Sequence, residues 1–205
     1  MLPLIFLAFA AATAATATPD SPDQAKLPAA ARADLRQCGP AEAKLAALPD
    51  TAWGPAPDAI EAHRALRKAL GETMPATATM VLVHAYGGDL ASTEFSIALA
   101  RGDDGAWHGT AVGRNQVWIP GAPPATLPRK AWTLSAESGR RLDAILHDPC
   151  LYAEPSTFHG KEVPPVGALS IQVDIVTPTH RRAVSFYGGE ALGFTAEIVT
   201  LSTPP

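Results

Sequence analysis

Two cysteines, six histidines and twenty acidic residues are the side chains of this chain with the most chemical potential. Cys38 and Cys150 are each expected beside the end of a helical stretch. In an oxidising compartment two cysteines most simply pair with each other. The other reading is a nucleophilic Cys150 beside His147, which needs a lowered thiol pKa. None of His63, His84, His108, His147, His159 and His180 has the i, i+4 spacing that would set two ligands on one helix face. The densest run of candidate metal ligands is His147, Asp148, Glu154, His159 and Glu162. It is broken by prolines, follows no ligand period and is expected to be a solvated loop. His84 ends an apolar strand and is expected to be a hydrogen-bonded core residue.

The carboxylates Asp89, Asp103, Asp104, Glu137, Asp143 and Asp148 have turn or surface explanations. The basic pairs Arg129-Lys130, Arg140-Arg141 and Arg181-Arg182 read as solvated faces and guarded hairpin ends. The chain holds no His-Glu-x-x-His, no Cys-x-x-Cys, no Gly-x-Ser-x-Gly, no glycine-rich phosphate loop and no calcium loop. No catalytic residue, metal ligand or cofactor is assigned on this basis, which leans against an enzyme.

Recognition is better served. Ala85-Tyr86-Gly87-Gly88-Asp89-Leu90 is echoed by Phe186-Tyr187-Gly188-Gly189-Glu190-Ala191-Leu192. Each copy follows a strand, so an internal pseudo-repeat would bring both Tyr-Gly-Gly turns to one end of a sheet. Trp118 precedes a proline-stiffened loop and is a candidate exposed aromatic; the alternative is a plug at the core's edge. Tyr86, Asp89, Trp118, Tyr187 and Glu190 form the candidate binding surface, since loops on a rigid sheet commonly carry function.

The elements that position these residues follow from periodicity and punctuation. Ala29 to Gln37 and Ala41 to Leu48 are short N-terminal helical stretches. Asp58 is a natural cap for a helix over 59–70, whose apolar stripe leaves Arg64, Arg67 and Lys68 facing water. Thr79 to Tyr86 reads as a central strand, and Glu94 to Arg101 alternates. Asp104-Gly105 then turns the chain into a strand over 106–113. Four prolines between Ile119 and Pro128 forbid a regular ladder. A short strand over 131–134 leads to Ser135, the cap of a helix from Ala136 to His147, with Glu137 and Arg141 spaced as a surface pair. Strands over 168–177, 181–187 and 194–201 complete the chain. The fold class is α+β: two antiparallel meanders, or one joined sheet, with N-terminal helices and a helix between the meanders.

The first seventeen residues carry no Asp, Glu, Lys or Arg, and Ala15-Thr16-Ala17 supplies a small-x-small cleavage pattern. Residues 1–17 therefore read as a signal peptide, 18–28 as a disordered leader and 29–205 as a single domain. No later segment approaches a transmembrane span. With 16 Lys and Arg against 20 Asp and Glu, the net charge of −4 excludes the basic balance of a general nucleic-acid binder. The 47% hydrophobic content supports a buried core.

The expectation is a periplasmic or secreted, non-catalytic binding module. Its partner would be another protein or an envelope component, with no nucleic acid and no membrane span after cleavage. Two other readings stay open at this level. One is an extracytoplasmic hydrolase of peptide, glycan or ester substrates, using carboxylates at the Tyr-Gly-Gly turns or the His147–His159 segment. The other is a metal-binding protein.

Overall fold

The computed structural model of the chain describes residues 38, 52, 56–89, 91–158, 167–188 and 191–205. The expected signal peptide, leader and first two helical stretches lie outside these residues, as do His159, Glu162 and Glu190. The described elements are, in chain order, α1 (Ile60–Ala69), β1 (Met80–Gly87), β2 (Ala91–Arg101), β3 (Trp107–Val117), β4 (Ala125–Thr126), β5 (Lys130–Thr133), α2 (Ala136–His147), α3 (Pro149–Ala153), β6 (Leu169–Val176), β7 (Arg181–Tyr187) and α4 (Gly193–Ser202).

All strands join one seven-stranded antiparallel sheet, ordered β4-β3-β2-β1-β6-β7, with β5 also paired to β3. The β1–β2–β3 meander and the β6–β7 hairpin are therefore one sheet, fused where β1 pairs β6 from Met80↔Val176 to Gly87↔Leu169. Between β2 and β3, Gly105 takes φ 76°, and the Asp104 carboxylate accepts from Ala106 N at 2.9 Å. That closes the expected Asp-Gly turn. The proline-bearing loop is not wholly irregular: Ala125 and Thr126 pair with Asn115 and Arg114 of β3.

Strand alternation gives the sheet two unlike faces. On one, Val81, Val83, Ile97, Leu99, Trp107, Val173, Ile175, Val184 and Phe186 join Leu142, Ile145, Leu151 and Ile198 from the helices in the main core. Ser135 caps α2 by accepting from Ser138 N at 3.0 Å, so this helix begins where the sequence places its start. Arg141 pairs with Glu197 of α4, through Nε at 2.5 Å and Nη2 at 2.7 Å, in place of the expected Glu137. Cys150 lies within α3, one residue inside its Pro149 start, and is bonded to Cys38.

The segment expected as a last strand, residues 194–201, is instead helix α4. Its buried positions Thr195, Ile198 and Ser202 are spaced three and four apart, so a helical face, and no strand alternation, meets the core. The helix start is fixed from a distance. The buried Glu154 carboxylate accepts from Phe194 N at 2.5 Å, Thr195 N at 3.1 Å and Thr195 Oγ1 at 2.7 Å. The two N–H groups are main-chain donors that a helix N-terminus leaves unpaired, and the Thr195 hydroxyl adds a third bond. The second half of the chain thus contributes a hairpin and a helix where a third strand was expected, and the pseudo-repeat fails beyond Tyr187.

Candidate functional site

The opposite sheet face carries polar and small side chains beside the buried Leu82 and Val112, and α1 lies across it. Helix spacing puts His63 and Arg67 on one side of α1, four residues apart. Arg67 does not face water as expected: it is 1% exposed, and His63 is fully buried. The guanidinium spans β2 and β3, donating from Nε to Ser96 Oγ at 2.8 Å, from Nη1 to Thr110 Oγ1 at 3.1 Å and from Nη2 to Thr110 O at 2.9 Å. Ser96, Ala98 and Thr110 are short enough to leave room for it on the sheet. Burial holds the Arg67 pKa below its ordinary value.

Ser96 Oγ lies 2.7 Å from His63 Nδ1. The same oxygen accepts from Arg67, so one hydroxyl links both side chains, and burial keeps the imidazole neutral. Ser96 is itself fully buried, so this serine–histidine pair meets no substrate. The His84 ring stands edge-on to His63 at 5.4 Å. Its Nε2 is 3.2 Å from Glu94 Oε1, while Glu94 Oε2 accepts from Arg114 Nη2 at 2.7 Å. His84 is the hydrogen-bonded core residue the sequence suggested.

Asp174, at the centre of β6 and 1% exposed, accepts from Ala59 N at 3.0 Å. Burial first, then neighbouring Asp58, push its pKa up to about 6, against the opposing pull of the Ala59 bond and Arg181. A carboxyl whose pKa rises on folding favours the fold while protonated, and that contribution is lost as pH climbs from about 4 through 6. The size is about 3 kcal/mol. Asp174→Asn keeps an acceptor for Ala59 N and should raise stability at pH 7.5 by about 1–3 kcal/mol, with little change at pH 4. Denaturant melts at the two pH values check this; an equal effect at both would contradict it.

The buried network leads outward to one end of the sheet. Tyr86 of β1 sits opposite Glu94 of β2 and Ser170 of β6, and Ser170 sits opposite Tyr187 of β7. Both tyrosines of the Tyr-Gly-Gly segments therefore lie in one register row at the same sheet end. The β1–β2 turn requires its glycines: Gly88 has φ 139°, and a Cβ there would stand 2.0 Å from Ala91 O.

Beyond this turn, Tyr86 (50% exposed), Val117 (44%), Trp118 (69%) and Ile119 (65%) all face solvent. Tyr86, Trp118, Ile119 and Gln116 line a shared cleft of about 360 Å³. Trp118 is thus exposed and does not plug the core. Asp89 is exposed at the turn but outside the cleft, as is the half-buried Tyr187. Val117 and Ile119 were not singled out from the sequence, although they flank Trp118.

The opposite sheet end holds a cleft of about 490 Å³ lined by Arg101, Asp143, His147, Tyr152 and His180. Its polar groups are tied to the scaffold. Asp143 accepts from Trp107 Nε1 at 3.1 Å and pairs with Arg101 at 3.1 Å. His147 Nδ1 donates to Asp143 O at 2.7 Å, and His180 stacks on Tyr152 at 4.5 Å. Glu154 is no solvated-loop ligand, because it is the buried cap of α4. Among the described residues no three His, Cys, Asp or Glu side chains converge to hold a metal ion.

The architecture and site define an α+β protein with one mixed-polarity sheet and an exposed aromatic end. No family model matches this chain, and no curated protein or solved structure resembles it significantly. Among the described residues no helix is long and apolar enough to cross a membrane.

Proposed function

We propose that this is an exported, non-catalytic binding module that engages another protein through the Tyr86–Trp118 end of its sheet. The observation that carries the reading is the joint exposure of Tyr86, Val117, Trp118 and Ile119 around one cleft. Large apolar side chains left in water side by side are the usual mark of an interaction surface, and Trp and Tyr are its commonest energetic anchors. The paired Glu94 and Arg114 behind Tyr86, with the glycine-shaped β1–β2 turn, make the surface rigid before binding. The Cys38–Cys150 bridge supports an oxidising, extracytoplasmic setting. The sealed Ser96–His63 pair and the scaffold-bound groups around His147 favour binding over hydrolysis.

A photoreactive phenylalanine at position 119, introduced into the protein in its own host, tests the reading. A discrete protein adduct is expected at position 119, none at the exposed position 140 on α2. Trp118→Ala should cut the adduct by a factor of about 30, the effect of losing roughly 2 kcal/mol at a binding anchor. The thermal midpoint should hold, since Trp118 is exposed. Equal adducts at both positions, or a yield indifferent to Trp118→Ala, would sink the proposal.

A further inference from the structure

Strand register gives the Tyr86–Trp118 end the form of a trough. Tyr86 of β1, Glu94 of β2 and Arg114 of β3 share one row on the α1 face, and Ser92 opposite Gln116 begins the next row outward. The short Ser92 therefore floors a space with Tyr86 on one side and Gln116 and Trp118 on the other. Neighbouring strands stand about 4.8 Å apart, so roughly 10 Å separates the two sides at the backbone. An α-helix with its side chains is about 10–12 Å across and would not enter. Strand addition is closed off as well: β4 takes the outer edge of β3 at Arg114 and Asn115, leaving only Gln116 and Val117 for a further strand. What the trough admits is a single extended chain.

The free groups select the kind of chain. None of the residues lining the cleft bears a charge, and Glu94 and Arg114 behind them neutralise each other at 2.7 Å. Among the described residues the Tyr86 hydroxyl, the Gln116 amide and the Trp118 indole N–H have no hydrogen-bond partner, and neither aromatic ring stacks on another. The indole can only donate, and the hydroxyl and the amide can donate too. The complement of this set is an uncharged chain with free carbonyls, few N–H groups and flat apolar rings. From this match of unpartnered donors and open aromatic faces in a trough one chain wide, we infer that the surface binds a proline-rich segment in the polyproline II conformation. Proline lacks the N–H, its rings pack flat on aromatic faces, and its carbonyls stay free to accept. The conformation is formed before binding, so little ordering entropy is lost. The inference rests on the proposed function and supplies the chemistry of the partner.

Fluorescence anisotropy of a labelled polyproline of about twelve residues, roughly four turns of the helix, tests it by titration with the intact chain. A Gly-Ser peptide of equal length is the control. The polyproline should bind saturably and at least about tenfold more tightly than the control. Trp118→Phe and Tyr86→Phe each keep a ring and remove a donor, and each should weaken binding about three- to tenfold. Trp118→Ala removes ring and donor together and should weaken it about 30-fold. Both positions are exposed, so the thermal midpoints should hold. Equal affinity for the two peptides, or polyproline binding that neither Phe variant weakens, would overturn the inference. So would binding of a neutral oligosaccharide, cellohexaose, with none of the polyproline. The photoadduct at position 119 separates the two claims. An adduct there with no preference for polyproline overturns this inference alone, and no adduct overturns the proposed function and this inference together.

Discussion

Replacing Cys38 and Cys150 together with serine is expected to lower the unfolding free energy by about 4–5 kcal/mol, the largest single-site effect on this fold. The bridge spans 112 residues, a loop that contains α1, β1 to β5 and α2. In the chain-entropy account the stabilisation comes from the unfolded chain, which the bridge denies most of its separations of positions 38 and 150. Cys150 is held in place by the rest of the structure. Asp148 caps α3 by accepting from Cys150 N at 2.9 Å, and Arg182 of β7 donates to the Glu154 and Pro155 carbonyls at 2.8 Å just past the helix end. The serine variant should therefore keep its sheet and lose free energy chiefly through a looser denatured state. Guanidinium unfolding of both forms measures this, and the serine variant should also show the larger m value, because its unfolded chain exposes more surface. A difference below about 1 kcal/mol with unchanged m would contradict the account.

Acid is expected to act through His63, with an effect nearly as large. Burial first, then His84 and Arg67, push its pKa down to about 3 from an ordinary 6.5. The folded state thus refuses a proton that the unfolded chain accepts, so stability present above pH 6.5 is lost as pH falls towards 3. At about 1.4 kcal/mol for each tenfold change in proton affinity, the loss approaches 4–5 kcal/mol. The geometry explains why the group resists protonation. A second ring proton would place an additional buried cation beside Arg67, which shares the Ser96 hydroxyl with His63. Asp174 works in the opposite sense between pH 6 and 4, since its raised pKa returns stability on acidification. The wild-type curve is therefore expected to sag gently to about pH 4 and fall steeply below it. His63→Gln retains a hydrogen-bonding group for Ser96 without the titration. The stability difference between wild type and this variant should change by about 4 kcal/mol between pH 7 and 3.5. Parallel curves would show that His63 does not carry the acid response.

What the sequence disclosed and what it withheld follow from the range of the forces involved. The Asp104-Gly105 turn, the Ser135 cap and the apolar run of β1 are decided within a few residues, and the structure keeps each of them close to the expected bounds. Cysteine count and compartment logic suggested the bridge. Arg67 was misplaced because a helical wheel assigns a lone arginine to solvent. Its burial depends on Ser96 and Thr110, 29 and 43 residues away, supplying acceptors on an adjacent strand face. The same distance problem hid α4, whose start is held by Glu154, 40 residues earlier. Phe194 and Ile198 suit a strand by local preference, and tertiary capping overrides that preference. At the candidate surface, Tyr86 and Trp118 were legible as aromatics beside turn residues. Their meeting in one cleft required the β2–β3 register that sets Ala91 against Val117.

The central claim is that the exposed aromatic end exists to hold a partner. Native mass spectrometry of the protein recovered from its host's envelope fraction, beside a Tyr86→Ala/Trp118→Ala variant, puts this most directly. The account predicts a protein complex of defined stoichiometry for the wild type and the bare chain for the variant, with both showing the mass of the intact Cys38–Cys150 bridge. A complex retained equally by the variant, or a bare chain in both samples under conditions that preserve other envelope complexes, would contradict it.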